Sequence, residues 1–313
     1  MKKVKKSTKA LLYVLAILLT LAACGAGPAP GAQTPAADRP TVDREGFPLT
    51  LPDRIETIIS LGPSNTEVLA ALGFGDMIVA TDAFSYDVPG IAPEISNLSV
   101  MDPDLEHIID LNPDVVFITG MARVAGDEDP LRLVSAAGIT VVYMPSSTSI
   151  EGIKEDIRFM AAVLGDPGAG DALVADMSVE IDRIREIGQT ITDRKTVYFE
   201  ISPAPHLFSF GSETFLNEMI ELVGAVNIFA DRQGWVPVTD EVILHLNPDV
   251  ILTSVNFLDD PVGEIMSRPG WDSLSAVQNG NIHTIDTASS NRPSHNIVLA
   301  LREIALAVYP DKF

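Results

Sequence analysis

The chain has 313 residues, of which 46% are hydrophobic and 20% are charged, and its formal net charge at pH 7 is −22. A body this acidic repels phosphate backbones, which argues against nucleic acids as partners. Cys24 is the only cysteine, so no disulfide bond can form within the chain.

The first residues have the pattern of a secretory signal. Five lysines within residues 1–9 precede an apolar run over residues 10–22. This run is shorter than the roughly 20 residues that cross a bilayer, so a cleaved signal is favoured over a transmembrane helix. The tetrapeptide Leu-Ala-Ala-Cys that ends at Cys24 resembles a bacterial lipobox. It predicts removal of residues 1–23 and acylation of Cys24; an ordinary signal that happens to contain a cysteine is the alternative.

A low-complexity segment follows the cysteine. Residues 24–47 are rich in Pro, Ala and Gly and show almost no apolar periodicity. Such a segment cannot bury enough surface to offset its loss of conformational entropy, so we expect a flexible tether. Loss of the five signal lysines would leave the mature chain with a charge of −27. An acylated Cys24 followed by a tether predicts an exported protein anchored to the cell membrane.

A short motif occurs once in each half of the body. Leu-Asn-Pro-Asp-Val stands at residues 111–115 and again at residues 246–250. In both copies a glutamate, Glu106 or Glu241, lies eight residues before the aspartate. Each copy predicts a short helix that stops near Asn-Pro, because proline disfavours helix in the preceding residue, and then a buried strand. The pair of motifs indicates two lobes built on one plan.

Strands and helices alternate in both halves, which predicts α/β lobes with mostly parallel sheets. We place the N-terminal lobe at residues 48–147, the linking helices at residues 148–192 and the C-terminal lobe at residues 193–313. Ser149 is a candidate N-cap for the first linking helix. A second helix over residues 169–187 would be about 28 Å long, and a helical link of this kind predicts small closure motions.

The opening of the first lobe resembles a known family. Residues 58–73, with the sequence IISLGPSNTEVLAALG, are similar to the first strand and helix of the cobalamin and ferric-siderophore class of ABC solute-binding proteins. Further similar segments are residues 105–114, 211–217, 224–229 and 280–282, together with Trp271. The resemblance implies two Rossmann-like lobes joined by a single long helix, binding without catalysis, and no intrinsic cofactor.

The resemblance also implies a role in transport. We expect a monomer on the outer face or periplasmic side of the cell membrane that captures a large cobalt- or iron-containing chelate, such as cobalamin or a ferric siderophore. Its partners would be an ABC permease dimer with its ATPase. An exported enzyme on a similar fold is the alternative class, although neither a GxSxG nucleophile elbow nor a GxxxxGKS phosphate loop occurs.

Particular site residues follow from the same resemblance. Glu106 and Glu241 would each dock into an arginine pocket on one permease subunit, because Arg binds carboxylates through paired, charge-assisted hydrogen bonds. The alternative is that both are ordinary solvated helix residues. Four residues would line the ligand cleft: Tyr86, Phe208, Trp235 and Arg292. Core or loop packing is the alternative for the aromatic side chains, and pairing with a surface carboxylate is the alternative for Arg292.

The residues leave the identity of the ligand open. Cobalamin binders of this family often carry a tryptophan near residues 97–101, where this chain has no aromatic residue, and siderophore binders often use several Arg or Lys residues, whereas this mature chain is poor in lysine. Haem ligated by His206 or His295 is an alternative. A zinc or manganese site would require His206, His283 and His295 to converge.

Three further polar residues are predicted to have structural roles. His107 and His245 lie in the two repeats, beside the predicted helices, and we expect structural roles for both. Ser64 is predicted to cap the first helix of the N-terminal lobe, whose free N–H groups are otherwise suited to an anion.

Overall fold

The computed structural model describes residues 39–92, 95–120 and 129–313. The predicted signal segment, Cys24 and the first part of the predicted tether lie outside these ranges. In the described part, two parallel sheets surrounded by helices form two lobes, which confirms the predicted α/β class. Within the same ranges, no helix is both long and apolar enough to cross a membrane.

Five parallel strands form the sheet of the N-terminal lobe: β1 (Ile58–Leu61), β2 (Ile78–Asp82), β3 (Ser96–Leu98), β4 (Val115–Thr119) and β5 (Thr140–Met144). Their order across the sheet is β3-β2-β1-β4-β5. All of β1 is buried, as expected for a parallel sheet that is covered by helices on both faces. The reversal of strand order between β1 and β4 places a crevice at the carboxyl ends of these strands.

Six strands belong to the C-terminal lobe: β6 (Thr196–Glu200), β7 (Phe208–Phe210), β8 (Val226–Asn227), β9 (Trp235–Pro237), β10 (Val250–Thr253) and β11 (Ile282–Thr284). Four of them form a parallel sheet in the order β11-β10-β6-β8, and β7 pairs with β9 in an antiparallel ribbon. The ribbon was not predicted, because three-residue strands are too short to show an alternating pattern.

The helices surround the two sheets and connect them. They are α1 (Pro63–Ala71), α2 (Leu105–Leu111), α3 (Arg132–Ala136), α4 (Ile150–Val163), α5 (Pro167–Gly188), α6 (Phe215–Leu222), α7 (Asp240–Leu246), α8 (Pro261–Ser267), α9 (Ser275–Gln278), α10 (Thr287–Asn291) and α11 (Ile297–Val308).

The linking segment consists of α4 and α5. The hydroxyl of Ser149 caps α4 by accepting the N–H of Gly152 at 3.0 Å, as predicted. α5 begins at Pro167, two residues earlier than expected, because the side chain of Asp166 accepts the N–H of Ala169 at 3.1 Å. With 22 residues, α5 is about 33 Å long. Its buried face belongs to a hydrophobic core with members in both sheets, so one core runs through both lobes.

The start of α1 differs from its prediction. Gly62 is the N-cap, with φ 131°, and no side chain caps the helix, so the expectation for Ser64 is wrong. The first helical residue is Pro63, which has no N–H to satisfy and a φ that suits the helix. The N–H of Gly62 donates instead to the buried carboxylate of Asp82 at 2.8 Å.

Residues 39–47 pack on the N-terminal lobe, whereas the sequence placed them in the tether. The buried carboxylate of Asp43 accepts the N–H groups of Glu45 at 2.9 Å and Phe47 at 2.8 Å. Arg44 pairs with Asp156 on α4 at 2.7 Å. A turn that is organised by one carboxylate has no apolar periodicity, so composition does not distinguish it from a tether. The predicted tether therefore extends too far towards the C-terminus.

Candidate functional site

The loop that follows β2 presents two aromatic side chains to solvent. Asp82, at the end of β2, is buried, and its carboxylate accepts the N–H of Phe84 at 2.8 Å and the hydroxyl of Ser85 at 2.7 Å. These bonds fix the loop at the carboxyl edge of the sheet, where α/β proteins bind ligands. Phe84 is 68% exposed and Tyr86 is 84% exposed. Exposed aromatic groups on a fixed loop are suited to contact a large ligand.

The ribbon of β7 and β9 carries the aromatic residues predicted for the second lobe. Phe208 lies opposite Pro237, and Phe210 lies opposite Trp235, so these four side chains share one face of the ribbon. The buried ring of Phe210 meets the indole of Trp235 edge-on, with centroids 6.2 Å apart. Trp235 is thereby braced on one side while 47% of it stays exposed. The ribbon thus brings Phe208 and Trp235, both predicted to line the ligand cleft, to one surface.

Arg292 connects the two lobes. It lies just after α10, and its Nη1 donates to Glu67 on α1 at 2.8 Å. Its Nη2 donates to the carbonyl of Phe84 at 3.0 Å and to Asp87 at 3.1 Å. Burial lowers the pKa of Arg292, but the bonds and charges of Glu67 and Asp87 raise it overall, so the side chain is cationic. Arg292 therefore pairs with two carboxylates of the opposite lobe, one of them buried, and its contact with a ligand stays a prediction.

Phe84 and Phe257 were missed at the sequence level. Phe257 follows β10 and is 71% exposed. A cavity of about 450 Å³ borders its neighbours Asn256 and Leu258. Both phenylalanines lie within four residues of the carboxyl end of a parallel strand, and this position is the signal that the sequence offers for them. Applying that rule to every strand would have found them.

Glu106 and Glu241 occupy matching places in the two repeats. Each is exposed in the first turn of its helix, α2 or α7. The pKa of Glu241 is lowered by hydrogen bonds to its carboxylate from the backbone N–H of Glu241 and the hydroxyl of Thr239. The carboxylate therefore stays charged. The neighbouring Asp240 accepts the indole N–H of the buried Trp271 at 2.7 Å, which fixes the start of α7. The two repeats therefore present similar exposed carboxylates on separate lobes.

The histidines do not gather into a metal site. Within residues 39–92, 95–120 and 129–313, no three His, Cys, Asp or Glu side chains are arranged to hold a metal ion, so His206, His283 and His295 do not converge. Burial and the charge of Lys195 lower the pKa of His283. Burial also lowers the pKa of His295, against the opposing effect of Glu67.

Single histidines have separate surroundings. His206 is exposed on the loop between β6 and β7. His107 lies 2.6 Å from the hydroxyl of Ser96, a contact that supports its structural role, whereas His245 is exposed near the end of α7.

A group of charged side chains in the C-terminal lobe pairs internally. Arg268 binds both oxygens of Glu200 at 2.6 and 3.0 Å, and it also binds Glu264. The guanidinium lies over the ring of Trp271, 4.4 Å from its centroid. Because both charges of the buried pair are already matched, we assign this group to the stability of the lobe rather than to ligand binding.

Comparison with known proteins identifies the family. The model of the periplasmic binding protein family matches residues 58–288, which is more than half of the chain. An uncharacterized ABC transporter substrate-binding lipoprotein, YvrC, of Bacillus subtilis (strain 168) is 30% identical, with 99% of each chain covered. A cobalamin-binding protein of Halobacterium salinarum is 26% identical over 96% of this chain and 83% of its own length.

A solved structure agrees with these matches. The periplasmic haem-binding protein RhuT from Roseiflexus sp. RS-1, in its apo form, superposes with a TM-score of 0.70 and 27% identity. The match covers 82% of this chain and 98% of RhuT. The protein therefore belongs to the periplasmic binding protein family, the extracytoplasmic solute-binding proteins of ABC importers.

Proposed function

We propose that this protein is a lipid-anchored substrate-binding protein that captures a corrinoid of the cobalamin class between its lobes, without catalysis. The observation that carries the proposal is the set of exposed aromatic side chains at strand ends of both lobes: Phe84 and Tyr86 on one, Trp235 and Phe257 on the other. Aromatic walls with few polar groups suit a large, flat chelate. The cobalamin-binding relative from Halobacterium salinarum supports the same ligand class.

Charge favours a corrinoid over an anionic ferric siderophore. The whole chain carries a formal charge of −22, which repels anionic ligands at long range. The predicted cleft cation, Arg292, already pairs with Glu67 and Asp87, so it offers little uncompensated positive charge. A ligand without strong negative charge is therefore the better match.

Ligand titration with intrinsic fluorescence tests the proposal. The protein to use is the chain from residue 24 with Cys24→Ser, titrated separately with cyanocobalamin, cobinamide, haem, ferric hydroxamates and ferric catecholates. We expect the corrinoids to quench Trp235, and a ligand at a hundred times its Kd to stabilise the fold by about 2.7 kcal/mol. Trp235→Ala should weaken corrinoid binding by about tenfold, which is typical of losing one aromatic contact.

The chain offers a matched control for this experiment, because it contains only two tryptophans. Trp271 is fully buried in the C-terminal lobe, so Trp271→Phe should keep both the quenching and the affinity. Absence of any corrinoid response in the unmodified protein would contradict the proposal.

Haem is the second candidate, because two side chains that can ligate iron are exposed near the aromatic residues along the chain. Tyr86 is 84% exposed, and His206 is exposed two residues before Phe208. The similarity to the haem-binding RhuT supports this alternative. A Soret shift on haem addition that disappears in Tyr86→Phe or His206→Ala would favour haem over a corrinoid.

We also propose that Cys24 carries the lipid anchor on the outer or periplasmic side of the membrane. The lipobox-like tetrapeptide and the name of the lipoprotein from Bacillus subtilis support this. Labelling of cells with a fatty-acid probe should mark the protein, and Cys24→Ser should remove the label and release the protein from membranes. Retention of Cys24→Ser on membranes would contradict an anchor at this residue.

Delivery completes the proposed function. Glu106 and Glu241 would bind arginines of the two permease subunits, with one contact from each lobe. Their exposure, their matching helical positions and the lowered pKa of Glu241 support this role.

A further inference from the structure

A buried carboxylate joins the two lobes. Glu67, on α1 of the N-terminal lobe, is only 4% exposed. It accepts hydrogen bonds from three side chains of the C-terminal lobe: Arg292 at 2.8 Å, Asn296 at 3.0 Å and the hydroxyl of Ser294. All three donors lie in one short segment, residues 292–296, between α10 and α11. One segment of the C-terminal lobe thus surrounds a single carboxylate of the N-terminal lobe.

The same segment holds the aromatic loop of the N-terminal lobe. Nη2 of Arg292 donates to the carbonyl of Phe84 at 3.0 Å and to the two oxygens of Asp87 at 3.1 and 3.2 Å. Tyr86 lies between these two contacts in the sequence. The guanidinium therefore fixes the loop that carries Phe84 and Tyr86 to the opposite lobe.

Separation of the lobes has to break this network. Glu67 is buried among its donors, and the side chain of Arg292 is only 16% exposed. Loss of one partner of a buried, hydrogen-bonded charge pair leaves the other charge uncompensated, which is strongly unfavourable. The contacts therefore favour one fixed separation of the lobes over an open arrangement.

We propose that Glu67 is a positioning residue for ligand capture, the centre of an interlobe latch formed with Asp87, Arg292, Ser294 and Asn296. The latch sets the separation of the lobes and the place of the aromatic loop, residues 83–87. Its effect on ligand release rests on the proposed function, whereas its effect on lobe separation does not.

The distance between spin labels, one on each lobe, tests the latch directly. The background is the chain from residue 24 with Cys24→Ser, labelled at Ala71→Cys on α1 and at Gln278→Cys on α9, both exposed positions. Pulsed electron spin resonance without added ligand should give a narrow distance distribution. Glu67→Gln removes the charge that binds Arg292, so we expect a broader distribution shifted from that of the unmodified protein.

A matched control separates latch release from a general loss of stability. Glu200→Gln also breaks a buried carboxylate–arginine pair, but both Glu200 and Arg268 lie within the C-terminal lobe. It should leave the distance distribution unchanged. Asp87→Asn gives a second test at an exposed position where folding is not at risk, and it should broaden the distribution less than Glu67→Gln.

Ligand kinetics supply the second readout. Dissociation of cyanocobalamin, followed by stopped flow, should be about tenfold or more faster in Glu67→Gln, because the lobes and the aromatic loop that hold the ligand would no longer be fixed. Failure of the unmodified protein to bind corrinoids would contradict the proposed function but leave the spin-label result decisive for the latch. Unchanged distances in both Glu67→Gln and Asp87→Asn, or equal broadening in Glu200→Gln, would overturn the latch.

Discussion

At the scale of single residues, the repeated aspartates show why the motif Leu-Asn-Pro-Asp-Val occurs twice. Asp114 accepts the N–H of Thr57 at 2.9 Å and its hydroxyl at 3.1 Å. Asp249 accepts the N–H of Thr196 at 2.8 Å and its hydroxyl at 2.8 Å. Each aspartate therefore joins the start of one central strand to the start of its neighbour. The same hydrogen-bonding arrangement therefore occurs in both lobes.

The asparagines of the motif have an equivalent role. Asn112 and Asn247 end α2 and α7 in the left-handed region, with φ of 46° and 45°. Asparagine tolerates this conformation better than most residues, so it can turn the chain from the helix into the following proline and strand.

The equivalence of the repeats predicts equal losses of stability. Asp114→Asn and Asp249→Asn should each lower the free energy of unfolding by about 1–2 kcal/mol, because each variant loses charge-assisted hydrogen bonds to a backbone N–H and a hydroxyl. Urea denaturation measures the change, with Asp272→Asn at an exposed position as the control. A large loss in one lobe with none in the other would show that the repeats are equivalent in sequence only.

At the scale of elements, an ion group joins the long helix α5 to the C-terminal helix α11. Glu180 accepts hydrogen bonds from Arg302 at 2.6 Å and from Arg183 at 2.8 Å. These bonds lower the pKa of Glu180 to about 2. The link helps to hold the C-terminal helix, whose last turns pack near the start of β6.

The lowered pKa predicts how stability depends on pH. The stabilisation by Glu180 is present above its unfolded pKa of about 4.5 and is lost as the pH falls through that value towards 2. Glu180→Gln lacks this carboxylate, so we expect its free energy of unfolding to fall less than that of the unmodified protein between pH 5 and pH 3. The expected difference is about 1 kcal/mol, since Arg302 and Arg183 are half exposed and solvent screens the pair.

A control on the same helix sharpens the pH measurement. Asp182 pairs with Arg185, and both side chains are well exposed. Asp182→Asn should therefore keep nearly the full acid sensitivity. Identical pH profiles for Glu180→Gln and the unmodified protein would contradict the assignment.

At the scale of the whole molecule, the two-lobed plan would suit the proposed permease partner with its two similar subunits. Glu106 and Glu241 lie on separate lobes in equivalent helices, so a nearly two-fold partner would meet the same carboxylate twice. The shared core and the long α5 keep the lobes from moving independently, which fixes the spacing of the two glutamates.

Charge reversal of Glu106 and Glu241 tests the proposed docking. Glu106→Lys and Glu241→Lys should each reduce ligand uptake in cells carrying the cognate permease, and the double variant should abolish it, because lysine would repel the arginines that the proposed docking requires. Ligand affinity in solution should stay unchanged, since both side chains are exposed and take no part in the aromatic wall. Glu186→Lys on the exposed side of α5 is the charge-matched control; an equal loss of uptake in it would argue for a general charge effect.

The sequence by itself determined the fold class, the repeat and the family. Alternating strands and helices, buried apolar strands such as β4, and the cap at Ser149 depend on local patterns of a few residues. Tyr86 lies on a loop and Trp235 on the short strand β9, and both are exposed, but their contact with a ligand stays a prediction.

Only the tertiary structure decided which polar groups meet. Arg292 and Glu67 lie 225 residues apart, and no periodicity connects them, yet together they join the two lobes. The buried turn at Asp43 and the cap at Gly62 likewise depend on partners that folding brings close. Local patterns report which face of an element is apolar, whereas the pairing of individual charges is set by how complete elements pack against one another.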